Sequence, residues 1–174
     1  MSDMVPIKYL FDSNVFIQAY KLYYQFHFCP AFWNWLLKLN KDCYLSIDKV
    51  YDELTFGSDE LASWAKDHKK LFVKCDSKSL LILPQIQKLL KGEKVPDNKI
   101  REFIELPVAD AYLISYAKTH NCILVTHEEP ANKINAKKKV HIPDVCNAMG
   151  VQYTSIYEIM RKEKDYHMNL TPNK

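Results

Sequence analysis

The chain has 174 residues, of which 48% are hydrophobic and 26% charged, with only 3 glycines and 8 prolines; this excludes disorder for its bulk, as well as fibrous and repeat architectures, and suits one compact domain. The formal charge of +3 is too small to announce a polyanionic partner, and only Arg101 and Arg161 offer a bidentate guanidinium fork, so any bound nucleic acid would be held mainly by lysines and metal. The longest apolar candidate, Leu80 to Leu83, is broken by Pro84 and falls far short of the roughly 20 residues that span a bilayer, which excludes a membrane partner. Met1-Ser2-Asp3-Met4-Val5-Pro6 lacks the basic and then apolar plan of a secretory signal, so the expected location is cytoplasmic.

In chain order, Ile7-Lys8-Tyr9-Leu10-Phe11 reads as a strand that ends in Asp12-Ser13-Asn14, residues that favour turns and helix starts, and so runs into a loop. Ala31 to Lys38 follows as a helix. Cys43-Tyr44-Leu45-Ser46 is a second strand, and Ile47, Val50, Tyr51 and Leu54 mark one face of the helix after it. Asp59 to Lys69 is helical and Leu71-Phe72-Val73 is a third strand. Ser77 to Leu90 is a helix, then Lys91-Gly92-Glu93-Lys94-Val95-Pro96-Asp97-Asn98 is the clearest loop. The helix Ala109 to Thr119 precedes Cys122-Ile123-Leu124-Val125-Thr126, apolar enough for a strand buried on both faces. Val140-His141-Ile142 supplies a fifth strand, and helices at Asp144 to Met149 and Ser155 to Lys164 complete the pattern. The alternation predicts an α/β fold with a mostly parallel sheet covered on both faces. Residues 1–164 form one domain, and 165–174 a flexible tail. The five cysteines, Cys29, Cys43, Cys75, Cys122 and Cys146, are scattered and contain no C-x-x-C pair, so they read as reduced core residues.

Ligands of open parallel sheets bind beyond the carboxyl ends of the strands. Four acids qualify: Asp12 ends the first strand, Glu53 lies in the helix after the second, Asp110 opens the helix beginning near Pro107, and Glu128 follows the fourth strand. Neighbouring strands are about 4.8 Å apart, and two bare carboxylates about 4 Å apart repel by several kcal/mol at an effective dielectric of about 20, so such a group must take up protons or hard cations. Oxygen ligands favour magnesium or manganese over zinc. Each acid also has a plainer use: Asp12 can cap a helix, Asp110 can complement a helix dipole, and Glu53, beside Asp52, can face solvent. Asp144, after a proline and before a short helix, reads as an N-cap.

Tyr9-Leu10-Phe11-Asp12-Ser13-Asn14, Val50-Tyr51-Asp52-Glu53-Leu54, Val108 to Ala117 and Ile123-Leu124-Val125-Thr126 resemble, in order and spacing, the motifs of PIN-domain ribonucleases. The resemblance covers about residues 5 to 155. The chain is also similar to a PIN-like family of bacterial proteins of unassigned function, in which the segment Val140-His141-Ile142-Pro143-Asp144-Val145-Cys146 recurs. The resemblance implies a three-layer α/β/α fold around a central parallel sheet of about five strands. It further implies a Mg2+- or Mn2+-dependent endoribonuclease acting on single-stranded RNA, often the toxin of a toxin–antitoxin pair. Asp12, Glu53 and Asp110 would then be metal ligands, with Ser13, Asn14 and Thr126 in support. PIN domains commonly place Asp two residues after that Thr, whereas Thr126-His127-Glu128 supplies the longer Glu, and Glu128 would assist the other three as the fourth catalytic acid and metal ligand.

Lys133, Lys137, Lys138 and Lys139 follow Glu128, where ammonium groups can hold RNA phosphates or simply form a solvated charge run. The aromatic stretch Tyr20, Tyr23, Tyr24, Phe26, Phe28, Phe32, Trp33 and Trp35 reads first as core, then as a clamp for an antitoxin or a second copy in a homodimer, and last as a base-stacking surface. His127 can be incidental or an acid for the leaving oxygen. Two other functions compete with the nuclease: a catalytically weak PIN-like module that binds a protein partner, and a haloacid-dehalogenase-type phosphatase. The phosphatase ranks last, because that class wants a second Asp where Asn14 stands.

Overall fold

The computed structural model of the chain describes residues 9–39, 45–105, 107–131, 134 and 139–162. The first short apolar run forms β1 (Tyr9–Phe11), and the run read as the clearest strand forms β4 (Ile123–Val125). They pair in parallel with Tyr9 opposite Ile123 and Phe11 opposite Val125. On the far side of β4 lies β5 (Tyr153–Thr154), also parallel, with Val125 opposite Thr154. A second, two-stranded parallel sheet consists of β2 (Ser46–Ile47) and β3 (Phe72–Val73). Its edge lies against β1: Phe11 donates its N–H to the Leu45 carbonyl at 2.9 Å, and the Ser46 hydroxyl donates to the Phe11 carbonyl. Both sheets being parallel, successive strands are joined by helical crossovers, as parallel pairing demands.

Those crossovers make the molecule mostly helical. After β1 come α1 (Ser13–Gln18), continuing as a π-helical turn over Ala19–Tyr23, and α2 (Pro30–Leu39). After β2 come α3 (Asp48–Thr55) and α4 (Glu60–Asp67), then a 3-10 turn at Lys69–Leu71. Between β3 and β4 lie α5 (Ser77–Leu80), α6 (Leu83–Gly92), α7 (Asp97–Ile104) and α8 (Asp110–His120). The chain then continues through α9 (Ile142–Met149), β5 and α10 (Ile156–Lys162). The helix α8 is central. It packs against α5, α6, α7 and α9 as well as β2 and β4, and buries residues all round its circumference, including Leu113, Ile114 and Tyr116; a helix enclosed on all sides has no polar stripe.

Four sequence expectations change. Val140-His141-Ile142 is not a strand: Ile142 is the first residue of α9, with Pro143 in its opening turn. Proline has no N–H to give a sheet ladder but fits the first turn of a helix, where that N–H would be unpaired anyway. The strand beside β4 is instead the Tyr153–Thr154 pair, an aromatic and a β-branched residue. Asp12-Ser13-Asn14 leads directly into a helix rather than a loop. Ser77 to Leu90 is two helices that break before Leu83-Pro84, and the expected loop at 91–98 contains the end of α6 and the start of α7. Lys133, Lys137 and Lys138, together with Ile7, Lys8, Cys43, Tyr44, Glu163, Lys164 and the tail 165–174, lie outside the described residues.

The core is aromatic. Phe11, Phe16, Phe32, Trp33 and Trp35 are all buried. The Phe16 ring meets Phe11 at 6.0 Å, Trp64 at 5.9 Å and Phe72 at 6.1 Å between centroids, while Tyr24 stacks on Phe32 at 4.3 Å and Phe26 on Trp33 at 4.2 Å. Each such pair adds roughly 0.5–1.5 kcal/mol beyond its area burial. In the stretch 20–35 most rings therefore serve as core, while Tyr23 and Phe28 remain exposed. Cys29, Cys122 and Cys146 are buried thiols; Cys75 is half-buried.

Candidate active site

The register Phe11 opposite Val125 sets the residues that follow, Asp12 and Thr126, side by side at the carboxyl edge of the sheet. Asp12 donates its N–H to the Val125 carbonyl at 2.9 Å, extending the ladder by one bond. Its carboxylate is buried and accepts from the Thr126 hydroxyl at 2.9 Å. Longer contacts come from the Ser13 hydroxyl at 3.4 Å, the Asn14 amide side chain at 3.4 Å and the Asn14 backbone N–H at 3.5 Å. Asp12 thus is the N-cap of α1, and the same carboxylate faces the other acids. Burial pushes its carboxyl up to about 6 despite the Thr126 hydrogen bond, and the charges of Glu128 and Glu53 add to the rise.

Asp110 is the first residue of α8. Its carboxyl is pushed up to about 8, chiefly by burial, then by the negative charges of Asp12 and Glu128, with Lys139 opposing and Glu53 adding to the rise. Glu53, from the middle of α3, reaches the start of α8 and accepts the Ala109 N–H at 2.8 Å. Glu128 accepts the Ile142 N–H at 2.8 Å, at the start of α9, and its other oxygen accepts from the Lys139 ammonium. The Thr126 hydroxyl accepts the Glu128 N–H at 3.1 Å, so one threonine side chain orients two acids. Acids from four distant segments therefore share one electrostatic neighbourhood, and both glutamates rest on helix N-termini, where partial positive charge favours them.

Ser13, Asn14, Glu53, Asp110 and Lys139 line one cleft of about 540 Å³, walled further by Lys99, Glu102, Phe103, Val108 and Val140. Among the described residues no group of three or more His, Cys, Asp or Glu side chains is placed to hold a metal ion as it stands. In this arrangement Asp12, Glu53 and Glu128 accept hydrogen bonds from protein donors. The donor set is nonetheless hard and entirely oxygen, the chemistry of magnesium or manganese, and protonation of Asp12 and Asp110 is the alternative way of relieving the same charge.

Thr126→Val isolates one part of this arrangement. At about pH 8, where Asp12 is ionised, the loss of its closest hydrogen bond should cost about 1–3 kcal/mol in urea unfolding. Near pH 5 the carboxyl is protonated and the loss should be smaller. An equal loss at both pH values would contradict the charge assignment.

Sequence reasoning missed Lys99 and Phe103, because the residues between the expected loop at 91–98 and the helix from Ala109 were assigned no element. The signal was present in Ile100, Phe103 and Ile104 at helical spacing after Pro96. Asp144 is not the cap of its own helix: His141 occupies the N-cap position, while Asp144, three residues on, accepts the Ala131 N–H at 3.2 Å and braces the preceding loop. His127 leans on Tyr157 with ring centroids 5.4 Å apart, and burial holds its imidazole below the usual range, leaving it uncharged at neutral pH.

No curated protein and no solved structure matches the chain. The sequence profile of one family, described as Domain of unknown function (DUF4411), matches residues 9–166. The match spans the carboxyl-edge acids together with the helices that carry them, and the chain belongs to that DUF4411 family.

Proposed function

We propose that this protein is a metal-dependent endoribonuclease that hydrolyses phosphodiester bonds of single-stranded RNA. The observation that carries the proposal is the mutual electrostatic influence of Asp12, Glu53, Asp110 and Glu128, with the carboxyls of Asp12 and Asp110 pushed upward chiefly by burial and then by the charges of the other acids. Such a group is costly without a cation, and its worth lies in what it can bind. Asp12 and Asp110 would hold a Mg2+ or Mn2+ ion, with Glu53 and Glu128 turning from their backbone amides to complete the shell. The bound ion would supply charge that makes water nucleophilic and offsets charge on the phosphate oxygens. Thr126, Ser13 and Asn14 would hold the Asp12 carboxylate in place, and the lysines after Glu128 would hold the flanking phosphates.

The proposed fold is the three-layer PIN-like one, with the two ladders forming a single sheet in the order β3-β2-β1-β4-β5 through the Phe11–Leu45 bond. The resemblance of the motifs supports a role as the cytoplasmic toxin of a toxin–antitoxin pair, with an antitoxin or a second copy as protein partner. A catalytically weak binding module is the second reading, and the engagement of both Glu128 oxygens favours it.

Incubation with single-stranded RNA of mixed sequence separates these. Cleavage in Mn2+ that stops in chelator is the expected result. Cleavage undiminished by chelator would overturn the metal assignment, and no cleavage by a folded protein that binds no Mn2+ would overturn the nuclease.

A further inference from the structure

Among the described residues, Lys139 is the lysine that pairs with one of the four acids, while the His141 ring lies 4.0 Å from the other Glu128 oxygen. Its ammonium donates to Glu128, the residue lines the same cleft as Asp110 and Glu53, and its charge acts on Asp110 and Asp12 as well. The Glu128 side chain in this pair is only 12% exposed, whereas that of Lys139 is 63% exposed. The acid is thus fixed, by Ile142 as well as by the lysine, and the lysine is free to leave toward solvent. Two positive charges in so small a space repel, so an ammonium on Glu128 and a divalent cation among the four acids disfavour each other.

We propose that Lys139 is the resident counterion of the carboxylate cleft, displaced when a divalent cation binds and then engaging a phosphate of the RNA. The inference rests on the nuclease reading given above. It makes metal and RNA binding mutually supportive: the ion releases the ammonium from Glu128, and a phosphate gives the released ammonium a new partner. By linkage, each ligand then strengthens the other by the same factor. The nearby Lys99 does not fill this role, since its ammonium pairs with Glu102 on its own helix.

Lys139→Met keeps most of the stem and removes the charge, and at an exposed position it should fold. In calorimetric titration with Mn2+ alone, this variant should bind the ion about threefold to tenfold more tightly than wild type, because the competing charge is gone. At saturating Mn2+ its KM for single-stranded RNA should rise about tenfold, with a smaller change in kcat, and the salt dependence should flatten by about one phosphate contact. Lys139→Arg should restore both properties. Equal or weaker Mn2+ binding by Lys139→Met, or an unchanged KM, in a background where wild type binds Mn2+ and cleaves, would overturn this inference and leave the nuclease standing. Wild type that neither binds Mn2+ nor cleaves would overturn both.

Discussion

Asp110→Asn is expected to abolish cleavage of single-stranded RNA, by about 100-fold or more, while the variant folds and, without metal, melts higher than wild type near pH 8. The two halves have one cause. A carboxyl raised from 3.8 to about 8 is a group the folded state prefers protonated, so the stability it contributes is fully present below about pH 3.8 and is lost as pH rises through about 8. Asp12 adds the same sign over the narrower window up to about 6. Metal-free wild type should therefore gain melting temperature as pH falls from about 9 toward 6.5, with the two titrations coupled to each other. Below 6.5 the depressed His127 works in the opposite direction, because protonating it favours the unfolded chain. Asparagine keeps the size of Asp110 and removes its charge, so the slope above pH 6.5 should flatten. A slope equal to that of wild type would show that Asp110 is not the source.

Phe11→Ala is expected to cost about 3–5 kcal/mol. Phe11 is 0% exposed, lies in the strand between β2 and β4, and shares its ring environment with Phe16, whose own ring bridges to Trp64 and Phe72. Removing the ring leaves a cavity beneath the first strand that the parallel pairing with β4 and the hydrogen bonds to Leu45 and Ser46 keep from closing. Against a total stability of about 5–15 kcal/mol for an ordinary domain, the loss is large, and it falls next to Asp12, so activity should decline at temperatures where wild type is still folded. Phe56→Ala provides the contrast: that ring is 95% exposed, and the change should stay within about 0.5 kcal/mol. Midpoints of denaturant unfolding at constant slope measure both. A Phe11→Ala midpoint matching wild type would contradict the placement of the core.

The carboxyl ends of β1 and β4 were legible before the strand order was, because strand ends are easy to recognise. An apolar run followed by Asp12, or by Thr126-His127-Glu128, marks a carboxyl edge whatever the strand order. The bond between Asp12 and Thr126 was not legible, since it depends on the β1 to β4 register across more than a hundred residues. The two uses of Asp12 looked like alternatives in the sequence and coexist in the structure, where one carboxylate caps α1 and interacts electrostatically with Glu128, Glu53 and Asp110. The elements that were misread are short or ambiguous. A two-residue strand such as Tyr153–Thr154 has no periodicity to detect, Val140-His141-Ile142 has strand composition that Pro143 overrides, and α7 begins inside a run rich in turn-forming residues. The use of Glu53 as an acceptor at the start of α8 could be seen only once α3 and α8 were placed together.

The most direct test of the central claim is a Mn2+ titration followed by thermal melting at about pH 8, wild type beside Asp110→Asn. A ligand stabilises only the state that binds it. Wild type should therefore rise steadily in melting temperature with added Mn2+, whereas Asp110→Asn should start higher and stay flat. Equal rises in the two proteins, or none in wild type, would contradict the claim that these acids form a cation site.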